Sequence, residues 1–61
     1  MSLNHFEKMI QDVAKCNDVE AQRLFAHAEE YGDVDWSEIT TDELKRDIIV
    51  WTWEIKSRAF N

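Results

Sequence analysis

Residues 39–60 read ITTDELKRDIIVWTWEIKSRAF, and this stretch decides the fold. It opens with a capping box, in which Thr40 caps a helix and the Glu43 side chain returns to the backbone N–H of Thr40. Acidic residues follow the start and basic residues come near the end, an order that complements the helix dipole. We therefore expect a helix at about residues 41–59.

This C-terminal helix carries more apolar surface than one face requires. A stripe at i, i+4, i+7 and i+11 is expected to pack on the rest of the chain, and it consists of Leu44, Ile48, Trp51 and Ile55. Exposed apolar patches usually mark interaction sites, and tryptophan is frequent at binding hot spots. We therefore predict a partner or dimer interface led by Trp53, with Trp51 second. Its residues are Trp53, Trp51, Ile49, Val50 and Phe60. For the two tryptophans, ordinary core packing is the alternative.

Two shorter helices are predicted before it, at about residues 3–16 and 19–31. Their apolar residues recur at spacings of three and four, which is typical of one buried helical face. The second inner face is predicted to contain Ala21, Leu24, Phe25, Ala28 and Tyr31. A short connection between two helices favours an antiparallel hairpin. The expected fold is therefore all-α, a helical hairpin plus a long C-terminal helix in one domain over residues 1–61.

Capping residues set the predicted bounds of these two helices. Ser2 is expected to cap the first helix. Asn17 is expected to end it, because asparagine tolerates the left-handed conformation that closes a helix. Asp18 then caps the second helix and Gly32 ends it.

The middle of the sequence is acidic. No Lys or Arg lies between Phe25 and Leu44. Trp36 stands alone among acidic residues in the predicted loop, and it is either a lid on the core, the interpretation we favour, or an anchor for a partner. The candidate acidic binding surface consists of Glu29, Glu30, Asp33, Asp35 and Glu38.

Size predicts self-association. Below roughly 70–80 residues a single core seldom supplies more than about 3–5 kcal/mol, so small domains add disulfides, a metal or oligomerisation. This chain has 61 residues and one cysteine, Cys16, which cannot form an internal disulfide. A lone thiol also fits a reducing compartment. We therefore expect a homodimer in the cytoplasm, with no secretory signal and no membrane span.

Charge and motif spacing disfavour several functions. The net charge of −6 argues against direct nucleic-acid binding, which depends on clustered Lys and Arg. Asp33, Asp35 and Ser37 imitate the first ligands of a calcium loop, but its later positions carry the wrong residues. His5, Cys16 and His27 lack the short spacings of zinc ligands, and both histidines are predicted to be surface positions. We expect no metal, no cofactor and no enzymatic activity, with Cys16 a semi-buried apolar residue.

The chain starts MSLNHFEK and ends WTWEIKSRAFN, and it is short, acidic and predicted to be helical throughout. In these respects it resembles the small proteins of the early, exo-xis region of lambdoid bacteriophages. The resemblance concerns the size, charge and general sequence character of the whole chain, and it assigns no functional residue. It implies a cytoplasmic accessory protein that alters host physiology or the lytic decision by contacting a host or phage protein.

Two functions are therefore compatible with the sequence. In the first, the C-terminal helix mediates self-association and the remaining surface binds a host or phage factor. In the second, the acids between Glu29 and Glu43 imitate spaced phosphates and occupy the basic groove of a DNA-binding protein. A purely solubilising role for these acids is the simpler alternative to mimicry.

Overall fold

The computed structural model describes residues 2–59 and contains three helices, α1 (His5–Ala14), α2 (Asp18–Tyr31) and α3 (Thr41–Ala59). This part of the chain has no β-strand, so the all-α prediction is confirmed. The bounds of α2 and α3 lie within one residue of the predicted ones. α1 is two residues shorter than predicted at each end.

Asn4, not Ser2, caps α1. Its side-chain oxygen accepts a hydrogen bond from the Glu7 backbone N–H at 2.7 Å, and its own N–H donates to Glu7 Oε1 at 2.8 Å. This reciprocal pair is a complete capping box, which requires an acid three residues after the cap. Ser2 has a histidine, His5, at that position, and the choice of Ser2 as cap was therefore wrong.

The turn between α1 and α2 reverses two predicted roles. Lys15 adopts the left-handed conformation, with φ of 58°, and donates its N–H to the Gln11 carbonyl. Asn17 is instead the cap of α2, where its Oδ1 accepts from the Glu20 N–H at 2.8 Å. Asp18 is then the first helical residue. Asparagine can satisfy a free N–H at a helix start and lysine cannot, which explains this division.

Gly32 ends α2 as predicted, but not through a positive φ. Its backbone is extended, with φ of −88°, and its N–H donates to the Ala28 carbonyl oxygen. A Cβ added to Gly32 would lie only 2.8 Å from that oxygen. Glycine is therefore needed here because there is no space for a side chain.

The start of α3 follows the predicted box in its first half. The Glu43 N–H donates to Thr40 Oγ1 at 3.2 Å. The Glu43 carboxylate accepts from the Thr40 hydroxyl at 3.1 Å, not from the backbone N–H of Thr40. The long helix thus begins at the predicted residue.

The core lies where the three helices meet. Its buried residues come from every helix and are Ile10, Leu24, Ala28, Leu44, Ile48 and Trp51. Ala21 and Ala28 are buried small residues on α2, a composition that favours close helix approach. Tyr31, predicted for the inner face of α2, is 53% exposed.

Trp36 closes one end of this core. Its ring centroid lies 5.2 Å from that of Phe6, 5.6 Å from Phe25 and 6.4 Å from Trp51. Its Nε1–H donates to Glu29 Oε1 at 3.2 Å. The tryptophan is half-buried, and its contacts agree with the lid interpretation.

Candidate interaction surface

Three large apolar side chains project from α3 into solvent. Ile49 is 69% exposed, Val50 48% and Trp53 70%. Each residue turns a helix by about 100°, so Trp53, nine residues after the buried Leu44, lies on the opposite side of α3. We call Ile49, Val50 and Trp53 the outer face of α3. The prediction that this helix carries apolar surface outside its core stripe is therefore confirmed for these residues.

The two tryptophans of α3 have opposite environments. Trp51 is 5% exposed and belongs to the core, because it lies two turns from Leu44 on the inward stripe. It is therefore not accessible to a partner, and its place in the predicted interface is corrected. Phe60 lies outside the described residues.

Basic side chains flank the outer face of α3. Arg46 is exposed and precedes Ile49, Val50 and Trp53 by three, four and seven residues, spacings that place it beside them. Lys56 is exposed three residues after Trp53. This apolar surface therefore has a basic border at Arg46 and Lys56, whereas Glu54, four residues after Val50, lies on its other side.

A polar seam joins α2 to α3 next to this surface. His27 Nε2 lies 2.9 Å from Glu54 Oε1, and the imidazole ring packs 5.0 Å from the Tyr31 ring. Arg58 lies over that Tyr31 ring at 3.9 Å. His27 is only 8% exposed, so its prediction as a surface residue was wrong. The sequence did contain a signal for burial, because His27 follows the buried Leu24 by three residues, a spacing that places both on one helical face.

The acids singled out in the sequence are all exposed, but only some of them come together. Asp33, Asp35 and Glu38 line one hollow, which α3 completes with Glu43 and Asp47. Glu29 does not line this hollow and binds the Trp36 N–H instead. Glu30 also lies outside it. Asp35 Oδ1 accepts from both the backbone N–H and the hydroxyl of Ser37, a local turn that organises the loop.

Cys16 is half-buried in the turn between α1 and α2, as predicted. Burial raises the pKa of its thiol above the ordinary value, and the nearby negative charges of Glu20 and Asp18 act in the same direction. A raised thiol pKa lowers the fraction of reactive thiolate at neutral pH. Across residues 2–59, no three His, Cys, Asp or Glu side chains are grouped to hold a metal ion.

No family model, curated protein or solved structure matches this chain. The helices of the described region include none with the length and apolar character needed to cross a membrane.

Proposed function

We propose that this protein is a non-enzymatic interaction module that forms a homodimer through the outer face of α3. The exposure of Trp53 between Ile49, Val50 and the basic border is the observation that carries the proposal. Tryptophan and arginine are the residues most enriched at binding hot spots, and α3 presents both on one side. In the proposed role, the dimer is a cytoplasmic accessory protein of phage type, and its remaining surface contacts a host or phage protein.

The expected dimer is weak enough to dissociate on dilution. Full burial of an aliphatic side chain of this size contributes about 1.5–3 kcal/mol, and a tryptophan contributes at the upper end or above. Association itself costs on the order of 4–15 kcal/mol before any net affinity appears. Three side chains therefore support modest pairing, within the concentration range of a solution experiment.

Sedimentation equilibrium over a hundredfold dilution tests this proposal. The wild-type chain should shift from dimer to monomer, and Trp53→Ala should be monomeric throughout. Val50→Ala and Val19→Ala form a matched pair, since both valines are exposed but only Val50 belongs to the outer face. Val50→Ala should weaken pairing and Val19→Ala should not. A wild-type chain that stays monomeric at every concentration refutes the dimer.

Mimicry of nucleic acid is the second candidate, and the hollow that gathers Asp33, Asp35 and Glu38 beside Glu43 and Asp47 favours it. Clustered carboxylates can attract a basic groove over a long range at low salt. On this proposal, the chain should compete with DNA for basic proteins of a bacterial lysate held on DNA-cellulose. In this second candidate, the negative charge that replaces DNA phosphates lies on Asp33, Asp35 and Glu38 of the loop, not on the outer face of α3.

A triple variant separates the two candidates. Asp33→Asn, Asp35→Asn and Glu38→Gln together should abolish the competition if mimicry is correct, and the wild-type competition should fall steeply with salt. The matched control, Asp12→Asn, Asp42→Asn and Glu20→Gln, removes the same charge from outside the loop. If both triple variants compete with DNA equally well, mimicry is contradicted.

A further inference from the structure

A second apolar surface lies between α2 and α3, away from Val50 and Trp53, and it adjoins the outer face of α3 at Ile49, which lines it. Two adjoining hollows of about 470 and 250 Å³ share Glu20, Leu24 and Thr52 in their walls. Their apolar floor includes Leu24, Ile48 and Ile55, and Val13 and Cys16 close the end near the α1–α2 turn. We call this surface the α2–α3 groove.

The border of the α2–α3 groove is basic, although the chain is strongly acidic. Arg23, Lys45 and Lys56 line it, which are three of the seven basic residues. Of the 13 Asp and Glu residues, Glu20 alone lines it. The net charge of the groove is therefore opposite to that of the whole molecule, so it will attract a ligand that the rest of the surface repels.

The shape of the groove suits a helix. Its α3 wall runs from Lys45 to Lys56, 11 residues later, or about 16 Å and three helical turns. An apolar trough between two helices accepts the apolar stripe of a third, whose polar flanks then meet the borders of the trough. A strand would need a free sheet edge, and the described chain has no sheet.

We propose that the α2–α3 groove binds an acidic amphipathic helix of another protein. The apolar stripe of that helix lies over Leu24, Ile48 and Ile55, and its carboxylates face Lys45, Lys56 and Arg23. Charge complementarity selects the ligand, because a basic helix would meet three like charges and one opposite charge. This inference goes beyond the proposed dimer, which is led by Trp53 on the outer face of α3 and shares only Ile49 and Lys56 with the groove.

Two synthetic peptides test the proposal with the full-length chain. Both have about 14 residues and leucine at i, i+3, i+4 and i+7, spacings that form one helical face. The acidic peptide carries Glu and Gln elsewhere, and the basic peptide carries Lys and Gln. Amide chemical shifts of the isotope-labelled protein report both affinity and location.

The acidic peptide should shift the amides of Leu24, Thr52 and Ile55 saturably and bind about tenfold more tightly than the basic peptide, since several rim charges change from repulsive to attractive. The double variant Arg23→Glu and Lys45→Glu, whose two residues line the groove and not the outer face of α3, should reverse this preference. The control Lys8→Glu and Arg58→Glu, which makes the same change of charge outside both the groove and the outer face of α3, should preserve it.

Several results would overturn the proposal. Equal affinity for both peptides, no saturable shift, or shifts confined to Val50 and Trp53 would each do so. Concentration-dependent shifts at the groove amides without peptide would assign the groove to a second copy of this chain. The dimer is judged separately by sedimentation, so failure of the groove proposal and failure of the dimer proposal are distinguishable.

Discussion

Replacing Trp51 with alanine should unfold the protein, whereas the same change at Trp53, half a turn further along α3, should leave the fold intact. Trp51 is buried among Ile10, Leu44 and Ile48 and lies against the lid residue Trp36. Removing a buried tryptophan typically costs about 3–5 kcal/mol, which equals the whole stability expected of a domain this small. Trp53 is largely solvent-exposed, and such surface changes usually stay within about 0.5 kcal/mol.

Urea unfolding followed by far-ultraviolet circular dichroism measures both effects. The experiment is run at protein concentrations where the wild-type chain is monomeric, because pairing would otherwise add to the apparent stability. Trp51→Phe is the control, since it keeps an aromatic ring in the core and should remain folded with reduced stability. The reasoning fails if Trp51→Ala unfolds at the wild-type urea concentration, or if Trp53→Ala loses more than about 2 kcal/mol, since that loss is typical only of buried sites.

Three further changes probe the polar seam, the end of α2 and the thiol. Glu54→Ala should lower the free energy of unfolding by about 1–3 kcal/mol, because it leaves a ring nitrogen of buried His27 without a partner. Glu54→Gln should lower it by less, and thermal unfolding measures both changes. Gly32→Ala should cost about 1–3 kcal/mol, because its Cβ would collide with a backbone oxygen, and a stability equal to wild type would show that α2 can end differently. Cys16 should react with iodoacetamide more slowly than an unstructured cysteine peptide at pH 8, since its raised pKa leaves less thiolate, and the difference should shrink as the pH rises. Equal rates at pH 8 would contradict that pKa shift.

The fold could be predicted from the sequence because its signals are local. The Thr40 to Glu43 segment and the long apolar stripe after it define α3 without reference to any other helix. The single glycine similarly marks the end of α2. The predicted end of α1 was wrong because two nearby residues, Lys15 and Asn17, can each adopt the conformation that ends a helix.

The surfaces were harder to predict because exposure depends on contacts between helices. Spacing along α3 placed Trp51 on the core stripe and Trp53 off it, but spacing alone did not decide whether the hairpin would cover both. His27 was misassigned because its partner, Glu54, lies 27 residues away in the sequence. The α2–α3 groove was not anticipated at all, since its basic border combines Arg23 with Lys45 and Lys56 from a different helix.

The placement of the three tryptophans makes the protein its own spectroscopic reporter. Trp36 and Trp51 lie close enough to exchange excitation energy, and the emission of this pair should report opening of the lid. Trp53 points into water, so acrylamide should quench it first and a bound neighbour should protect it. Single Trp→Phe replacements would assign each component of the emission, and movements at the lid, the interior and the outer face could then be followed in one cuvette without any added dye.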